Sequence, residues 1–382
     1  MRLGDVCKIK ASNAPIDGER FWLLNLDMVE QQTGNIIEYN YVSENELDGS
    51  IIQFDIDTVL YSKLRPNLNK VVLPTKAGFA TSEMLPLKPD TSKLCKEYLA
   101  VYLRSDDFVT WAVSKTAGAK MPRLGTQELL NKDIPLPSID EQLHISSLFA
   151  KISSIISLRK QQLAKLDELV KARFVELFGD TEYNEKGLPT LPMTDLCEII
   201  DGDRGKNYPK QEEFLEEGFC LFLNAKNVTS NGFSFENCMY ITEEKDKILR
   251  TGKLSRGDVD LTTRGTLGNL AFYDDSVTYE HMRINSGMVI LRMKRDRITE
   301  RFFIEQFKML LASIKERIAS GSAQPQLPIS TMNKILMLVP DVKLQNQFSS
   351  FVEQTDKSKS AIQQSLDKLE TLKGALMQKY FR

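Results

Sequence analysis

The sequence predicts an α+β protein built twice over: two similar globules with small twisted β-sheets, separated by two long helices that pair as an intramolecular antiparallel coiled coil, a pseudo-two-fold internal repeat. Three observations predict it. Residues 122–178 can be laid over residues 325–381 without a gap, at a constant offset of 203. Both segments carry a long heptad stripe. The stretches upstream of them read as the same succession of short β-rich runs, a helix and a loop.

Within the gapless register Pro122 meets Pro325, Leu124 meets Leu327, Pro137 meets Pro340 and Gln142 meets Gln345. Leu163, Lys165, Leu166 and Leu169 meet Leu366, Lys368, Leu369 and Leu372, and Ala172 and Phe178 meet Ala375 and Phe381. Unrelated heptads would share leucines but not the flanking prolines, the glutamine and the terminal phenylalanine. Upstream the match continues with insertions: Asp5, Cys7 and Ile9 resemble Asp195, Cys197 and Ile199; Val59 stands where Val259 does; Ser82, Met84 and Leu87 pair with Ser286, Met288 and Leu291.

The elements follow in order. In the first globule, 1–140, strands are predicted at FWLLNL (21–26), TVLYSK (58–63), KVVLP (70–74) and MLPLKP (84–89), each bounded by Gly, Pro, Asn or Asp. They suggest one small, mostly antiparallel sheet. A helix over 96–111 follows, then the loop 116–125, a short helix and a strand at DIPLP. The first long helix, 141–178, starts just after Pro137. Its stripe is Ile145, Phe149, Ile152, Ile156, Leu163, Leu166, Val170 and Leu177, with Arg159 and Arg173 in the two remaining seam positions. The second globule, 179–340, repeats the plan with strands near 219–225, 258–263, 269–273 and 287–293, a helix over 299–319, a loop to Pro328 and the strand ILMLVP. In the second long helix, 341–382, the stripe is Phe348, Val352, Ile362, Leu366, Leu369, Leu376 and Tyr380, interrupted by Thr355, Lys359 and Lys373. About 40 residues at ~1.5 Å each make a rod of roughly 60 Å. One stripe per helix needs one partner stripe, and the other copy is the nearest; the alternative is a separate coiled-coil dimer made by each helix.

Composition sets bounds. With 42% hydrophobic and 27% charged residues, the 382-residue chain has the makeup of an ordinary globular protein rather than a disordered one. No apolar run approaches ~20 residues, and MRLGDVCKIK lacks a signal-peptide core, so a cytoplasmic protein without a membrane partner is expected. Five cysteines without a CxxC pair indicate neither a disulfide framework nor a zinc site. A net charge of −2 argues against coating nucleic acid through bulk charge but leaves room for a local basic patch.

The loops carry the candidate chemistry. SKLRPNLNK places Lys63, Arg65, Asn67, Asn69 and Lys70 in a turn after a strand, and AGAKMPR adds Lys120 and Arg123. In the second globule DGDRGKNYPK supplies Arg204, Lys206, Asn207, Tyr208 and Lys210; TTRGTLGN supplies Arg264, Thr266 and Asn269; GSAQPQLP supplies Gln324 and Gln326. Arg and Lys can chelate guanine edges or neutralise phosphates, and Asn can pair with adenine, so the mixture suits major-groove reading. The plain alternative is a set of solvated turns. Catalysis lacks a visible seat: there is no GxxxxGK[ST], GxGxxG or HExxH motif, and no Asn- or Asp-Pro-Pro-aromatic tetrapeptide of the kind amino-methyltransferases use. No catalytic or metal-binding residue is assigned.

Taken together, GDVDLTTRGTLG, DTVLYSKLRPNLNK, ATSEMLPL, GAKMPRL before DIPLPSIDEQ, and the long leucine-rich helices resemble specificity subunits of type I restriction-modification systems. In VPDVKLQNQ the second copy has Leu344 where Glu141 stands in the first. The resemblance implies two target-recognition domains, each reading one half of a bipartite double-stranded DNA site. Paired helices would set the gap and dock two methyltransferase subunits. Half-sites one helical turn apart, ~34 Å, fall within reach of such a rod. S-adenosylmethionine would serve the methyltransferases, which modify adenine N6, and ATP and Mg the restriction subunits, so no cofactor is expected in this chain. Lys63, Arg65, Asn67, Asn69, Lys70, Lys120 and Arg123 would then serve one half-site, and Arg204, Lys206, Asn207, Tyr208, Arg264, Thr266, Gln324 and Gln326 the other. The rival readings are a coiled-coil adaptor joining two protein-binding globules and a nuclease acting alone.

Overall fold

A computed structural model describes residues 1–47, 49–118, 120–294, 296–319 and 326–382, with backbone alone for 316–319. It contains two compact units, Met1–Gln161 with Ile362–Arg382, and Gln162–Ala361.

In the first unit an antiparallel sheet runs in the order Cys7–Ile9, Met84–Pro89, Val59–Ser62, Val71–Val72. A second sheet, ordered Asn40–Ser43, Arg20–Leu24, Gly78–Thr81, Ile51–Phe54, contains one parallel pair, Arg20–Leu24 with Gly78–Thr81. The second unit repeats this plan. Its antiparallel sheet is ordered Cys197–Asp201, Met288–Met293, Asp258–Thr262, Leu270–Phe272. Its companion sheet, Tyr240–Ile241, Cys220–Leu223, Met282–Ile284, again has one parallel pair. The repeat is therefore one of topology as well as of sequence.

Three expectations change. Each globule holds two main sheets rather than one, because the strands NYVS, IIQF and GFAT are only four residues long and show too little pattern to stand out as strands. The helix expected over 96–111 is two helices, Lys96–Leu103 and Asp106–Ser114; Ser105 caps the second by accepting the Phe108 N–H at 3.3 Å. DIPLP makes only an isolated bridge, Asp133 with Arg2. Pro135 and Pro137 lack ladder donors, and the Tyr98 and Tyr102 hydroxyls donate to the Pro135 and Asp133 carbonyls at 3.0 and 3.3 Å. Its counterpart Leu336–Leu338 does pair, with Thr190–Pro192.

The matched glutamines explain why the register was kept. Gln142 is fully buried, donates to the Lys93 and Pro137 carbonyls at 2.8 and 2.9 Å, and accepts the Cys95 N–H at 2.8 Å. Gln345 does the same in the second unit, donating to Arg297 and Pro340 at 3.1 and 2.9 Å and accepting from Thr299 at 2.9 Å. Each ties the start of a long helix to the entry of a globule helix. Gln142→Ala strands a buried donor and two carbonyls, so chemical denaturation should show a loss of about 1 to 3 kcal/mol, while the isosteric Gln142→Glu should not restore the two donated bonds.

The long helices span Ile139–Phe178 and Val342–Phe381. Their seam residues turn inward: Ile152, Val170 and Leu366 are buried, and Ile156, Leu163, Leu166, Ile362, Leu369 and Leu376 half-buried. Within the first unit Phe149 meets Phe381 at 6.1 Å between ring centroids and Lys160 meets Glu370 at 3.1 Å. Rising numbers on one helix meet falling numbers on the other, so the pairing is antiparallel. Within the second unit Asp167 pairs with Lys359 and Phe174 packs edge-on against Phe348, in the same sense. The matched phenylalanines close the two cores: Phe381 beside Tyr98 and Tyr102, Phe178 beside Phe302 and Phe348. No helix among the described residues is long and apolar enough to cross a membrane.

Candidate nucleic-acid interface

In the first unit the turn after Val59–Ser62 is built on two left-handed residues, Arg65 and Asn69, both at φ 49°, flanking a short 3-10 helix, Pro66–Leu68. Asn adopts this conformation readily and Arg does not, so strain is held at an exposed arginine whose side chain has no partner among the described residues. The second loop is brought alongside by backbone hydrogen bonds: the Arg65 N–H donates to the Pro122 carbonyl at 2.8 Å and the Leu124 N–H to the Lys63 carbonyl at 2.9 Å. A hairpin of Thr116–Ala117 and Arg123–Leu124 completes it.

These contacts bring Lys63 and Arg123 to one carboxylate, with exposed Arg65 on the adjoining turn and exposed Lys120 on the loop of Arg123. Glu83 accepts from Arg123 Nε and Nη2 at 3.1 and 3.0 Å and lies 4.0 Å from Lys63 Nζ. Asn67 is exposed, its carbonyl held by the Gln32 amide at 3.0 Å. Two candidates leave the set. Asn69 is buried and its amide donates to the Arg104 carbonyl at 3.1 Å, so it builds the turn. Lys70 donates to the Leu26 carbonyl, and burial lowers its pKa; its ammonium is committed inside the fold.

Sequence reasoning missed Glu83, being directed at cations, and did not place Lys373 beside charge. Burial lowers the Lys373 pKa, with Arg104 and Lys160 adding to the effect. The only signal for Lys373 was a cation interrupting a heptad seam.

The second unit uses the same scaffold differently. The Thr263 N–H donates to the Gly287 carbonyl at 2.9 Å and the Leu327 N–H to the Thr263 carbonyl at 3.2 Å, repeating bonds from Lys63 to Glu83 and from Leu124 to Lys63. Beside these bonds lies a cavity of about 250 Å³, bounded by Asp201, Arg204, Thr263, Arg264, Gln326 and Ile329 among others. Arg204 donates to Asp201 and to the Ser286 carbonyl, both at 3.1 Å. Arg264 is exposed with no side-chain partner among the described residues. The structure thus brings Arg204, Arg264 and Gln326 together.

Other candidates do not join them. Lys206 is exposed on the preceding loop. That loop is shaped by buried Asp203, which accepts the Gly205 and Arg250 N–H groups, both at 2.7 Å. The Asn207 amide donates to Ile248 at 3.3 Å and the Thr266 hydroxyl to Ala225 at 3.2 Å. Tyr208 is half-buried and packs edge-on against Phe222 at 5.7 Å, its ring resting on a small core cluster. Asn269 donates inward, to Val228 at 2.9 Å. Gln324 lies outside the described residues. Among the described residues no group of three or more His, Cys, Asp or Glu is arranged to hold a metal ion.

Comparison with known proteins gives this geometry a family. The chain is 25% identical over 183 residues to the type I restriction enzyme EcoDI specificity subunit of Escherichia coli, a segment covering 47% of this chain and 40% of that protein. It is 21% identical over 380 residues to the MjaIX specificity subunit of Methanocaldococcus jannaschii, covering 92% and 85%. Among solved structures, the S subunit of a type I system from M. genitalium matches at TM-score 0.62 and 16% identity, over 100% of this chain and 95% of that one. A chain from a study of complex assembly and conformational transition of the type I R-M system matches at TM-score 0.58 and 17% identity, over 100% and 97%. The family model for the type I restriction modification DNA specificity domain matches twice, at residues 1–168 and 187–371. Two matches that take in nearly the whole chain, each on one copy of the same scaffold, make this protein a member of the type I restriction-modification DNA specificity family.

Proposed function

We propose that the chain reads a bipartite double-stranded DNA site, with globule 1–140 reading one half and globule 179–340 the other. The observation that carries this reading is one scaffold presenting two sets of side chains: Lys63, Arg65 and Arg123 in the first unit, Arg264 and Gln326 at the corresponding loops of the second, joined there by Arg204 from the loop after Cys197–Asp201. A shared backbone frame with divergent polar tips suits two readers of different sequences. The helices 141–178 and 341–382 set the gap between half-sites.

The same helices supply docking faces for two methyltransferase (modification) subunits. Leu169 and Leu372, equivalent in the repeat, lie outside the seam at 48% and 47% exposure, as expected if one kind of partner is bound twice. S-adenosylmethionine serves adenine methylation in those partners, and ATP and Mg serve restriction subunits that join them; this chain contributes recognition, not chemistry.

Arg65→Ala should weaken recognition of one half-site by about 1 to 3 kcal/mol and leave the other unchanged, if Arg65 chelates a base edge. Competition binding of the complex to duplexes altered in one half at a time measures it, and an equal loss on every sequence would make Arg65 a phosphate contact. The adaptor reading predicts no DNA binding that weakens steeply with salt, whereas phosphate contacts release counterions and require it.

A further inference from the structure

We propose that Glu83 is the positioning residue for guanine recognition by the first globule, holding Arg123 so that one edge of its guanidinium faces the DNA; this rests on the DNA-reading function proposed above. A guanidinium has five N–H groups. Glu83 accepts from Nε at 3.1 Å and from Nη2 at 3.0 Å, and the Met121 carbonyl accepts from Nη1 at 3.4 Å. Two N–H groups remain, one on each terminal nitrogen, spaced for two neighbouring acceptors such as O6 and N7 of guanine. Arg123 is 43% exposed while Glu83 is 23% exposed, so the carboxylate sits behind the guanidinium rather than in front of it.

Two phosphate oxygens offer the same acceptor spacing, and charge decides between the sources. Paired with a carboxylate at 3.0 Å, the arginine is largely neutralised as a point charge, and the positive charge left over for a phosphate is that of Lys63, 4.0 Å from the other carboxylate oxygen. The arginine keeps its directional donors for a neutral base edge. Nor is the pair needed to fasten the loop. The second unit holds the equivalent loop by the same backbone bond, Leu327 N–H to the Thr263 carbonyl, with Gly287 in place of Glu83 and Gln326 in place of Arg123. Both members of the pair change together between the copies, as expected of two residues that act as one device.

The test is binding of the full chain, co-expressed with its modification subunit, to duplexes carrying all four base pairs at each half-site position, for wild type, Glu83→Gln, Glu83→Ala, Arg123→Lys and Arg123→Ala. Glu83→Gln should reduce discrimination at a single G·C position by about tenfold or more. Non-specific affinity should stay equal or rise, with a salt dependence no shallower than that of wild type, because a negative charge has been removed. Arg123→Lys should lose the same position, since an ammonium cannot chelate two acceptors from a fixed plane. The half-site read by the second globule should be unchanged in all variants. Uniform loss of affinity at every sequence, or unchanged discrimination in Glu83→Gln, would overturn the assignment of Glu83. A lower salt dependence for Arg123→Ala without change of base preference would make the ligand a phosphate and overturn it too. Absence of any sequence preference in the wild-type complex would overturn the DNA-reading function itself.

Discussion

Asp246→Ala is expected to destabilise the second unit by about 3 to 5 kcal/mol, because it leaves a buried guanidinium without its counter-charge. Asp246 is 3% exposed and Arg283 5% exposed. Arg283 donates through Nε to the Asp246 carboxylate and through Nη2 to the Asp246 and Leu249 carbonyls at 2.7 and 3.2 Å. Nη1 reaches Thr251 at 2.8 Å, and Lys253 approaches the second carboxylate oxygen. One ion pair thus ties the helix Glu243–Ile248 and the segment after it to the strand Met282–Ile284. Burial raises the Asp246 pKa, but the bonds from Lys253 and Arg283 outweigh it and the net shift is downward. A depressed carboxyl contributes stability above its unfolded value, ~3.9, and loses it as pH falls through the folded one. Denaturation of wild type and Asp246→Ala should therefore differ fully at pH 7 and converge in acid. A constant difference at all pH values would deny the charge pairing.

Asp260→Leu is expected to do the opposite, raising stability at neutral pH by about 1 to 3 kcal/mol, the cost of a buried polar group without a partner. Asp260 is fully buried on the strand Asp258–Thr262 between Ala271 and Ile290, and neither carboxyl oxygen meets a donor at hydrogen-bonding geometry. Burial pushes its pKa well above the usual carboxylate value; the Leu261 N–H offsets part of this and Asp258 adds to it. A carboxyl kept protonated in the fold but ionised in the unfolded chain costs ~1.4 kcal/mol for each pH unit above ~3.9 until its folded pKa is reached. Its contribution is thus fully present in acid and lost as pH rises. The corresponding position in the first unit is Leu60, fully buried in an apolar cluster, so the scaffold already accepts leucine there. The gap between wild type and Asp260→Leu should likewise close toward acid, but with the opposite sign, the variant being the more stable protein at neutral pH. A less stable Asp260→Leu protein at pH 7 would mean that the carboxyl has a partner this account lacks.

The repeat was legible because its constraints are repeated: a proline before each helix, a buried glutamine clamp, a heptad seam and a terminal phenylalanine that closes a core. Of the companion sheets only the apolar strands at 21–26 and 219–225 were legible, since their partners, two to four residues long, leave little pattern. The loop sequences do not tell which of their polar side chains face inward. Asn69, Lys70 and Tyr208 are polar residues in polar loops, and only the fold determines that their side chains turn back onto carbonyls or rings. Glu83 was passed over for the complementary reason: a carboxylate does not look like a DNA contact until Arg123 is seen resting on it.

Each copy is proposed to read its own half of one split site, which single-molecule sequencing of genomic DNA from cells expressing the chain with its modification subunit would reveal. Methylated adenines are expected in a two-part motif of fixed gap, with substitutions within 60–125 changing one half and substitutions within 200–270 changing the other. An unsplit motif, a substitution that alters both halves together, or no methylation from a soluble complex with an active methyltransferase would contradict that reading.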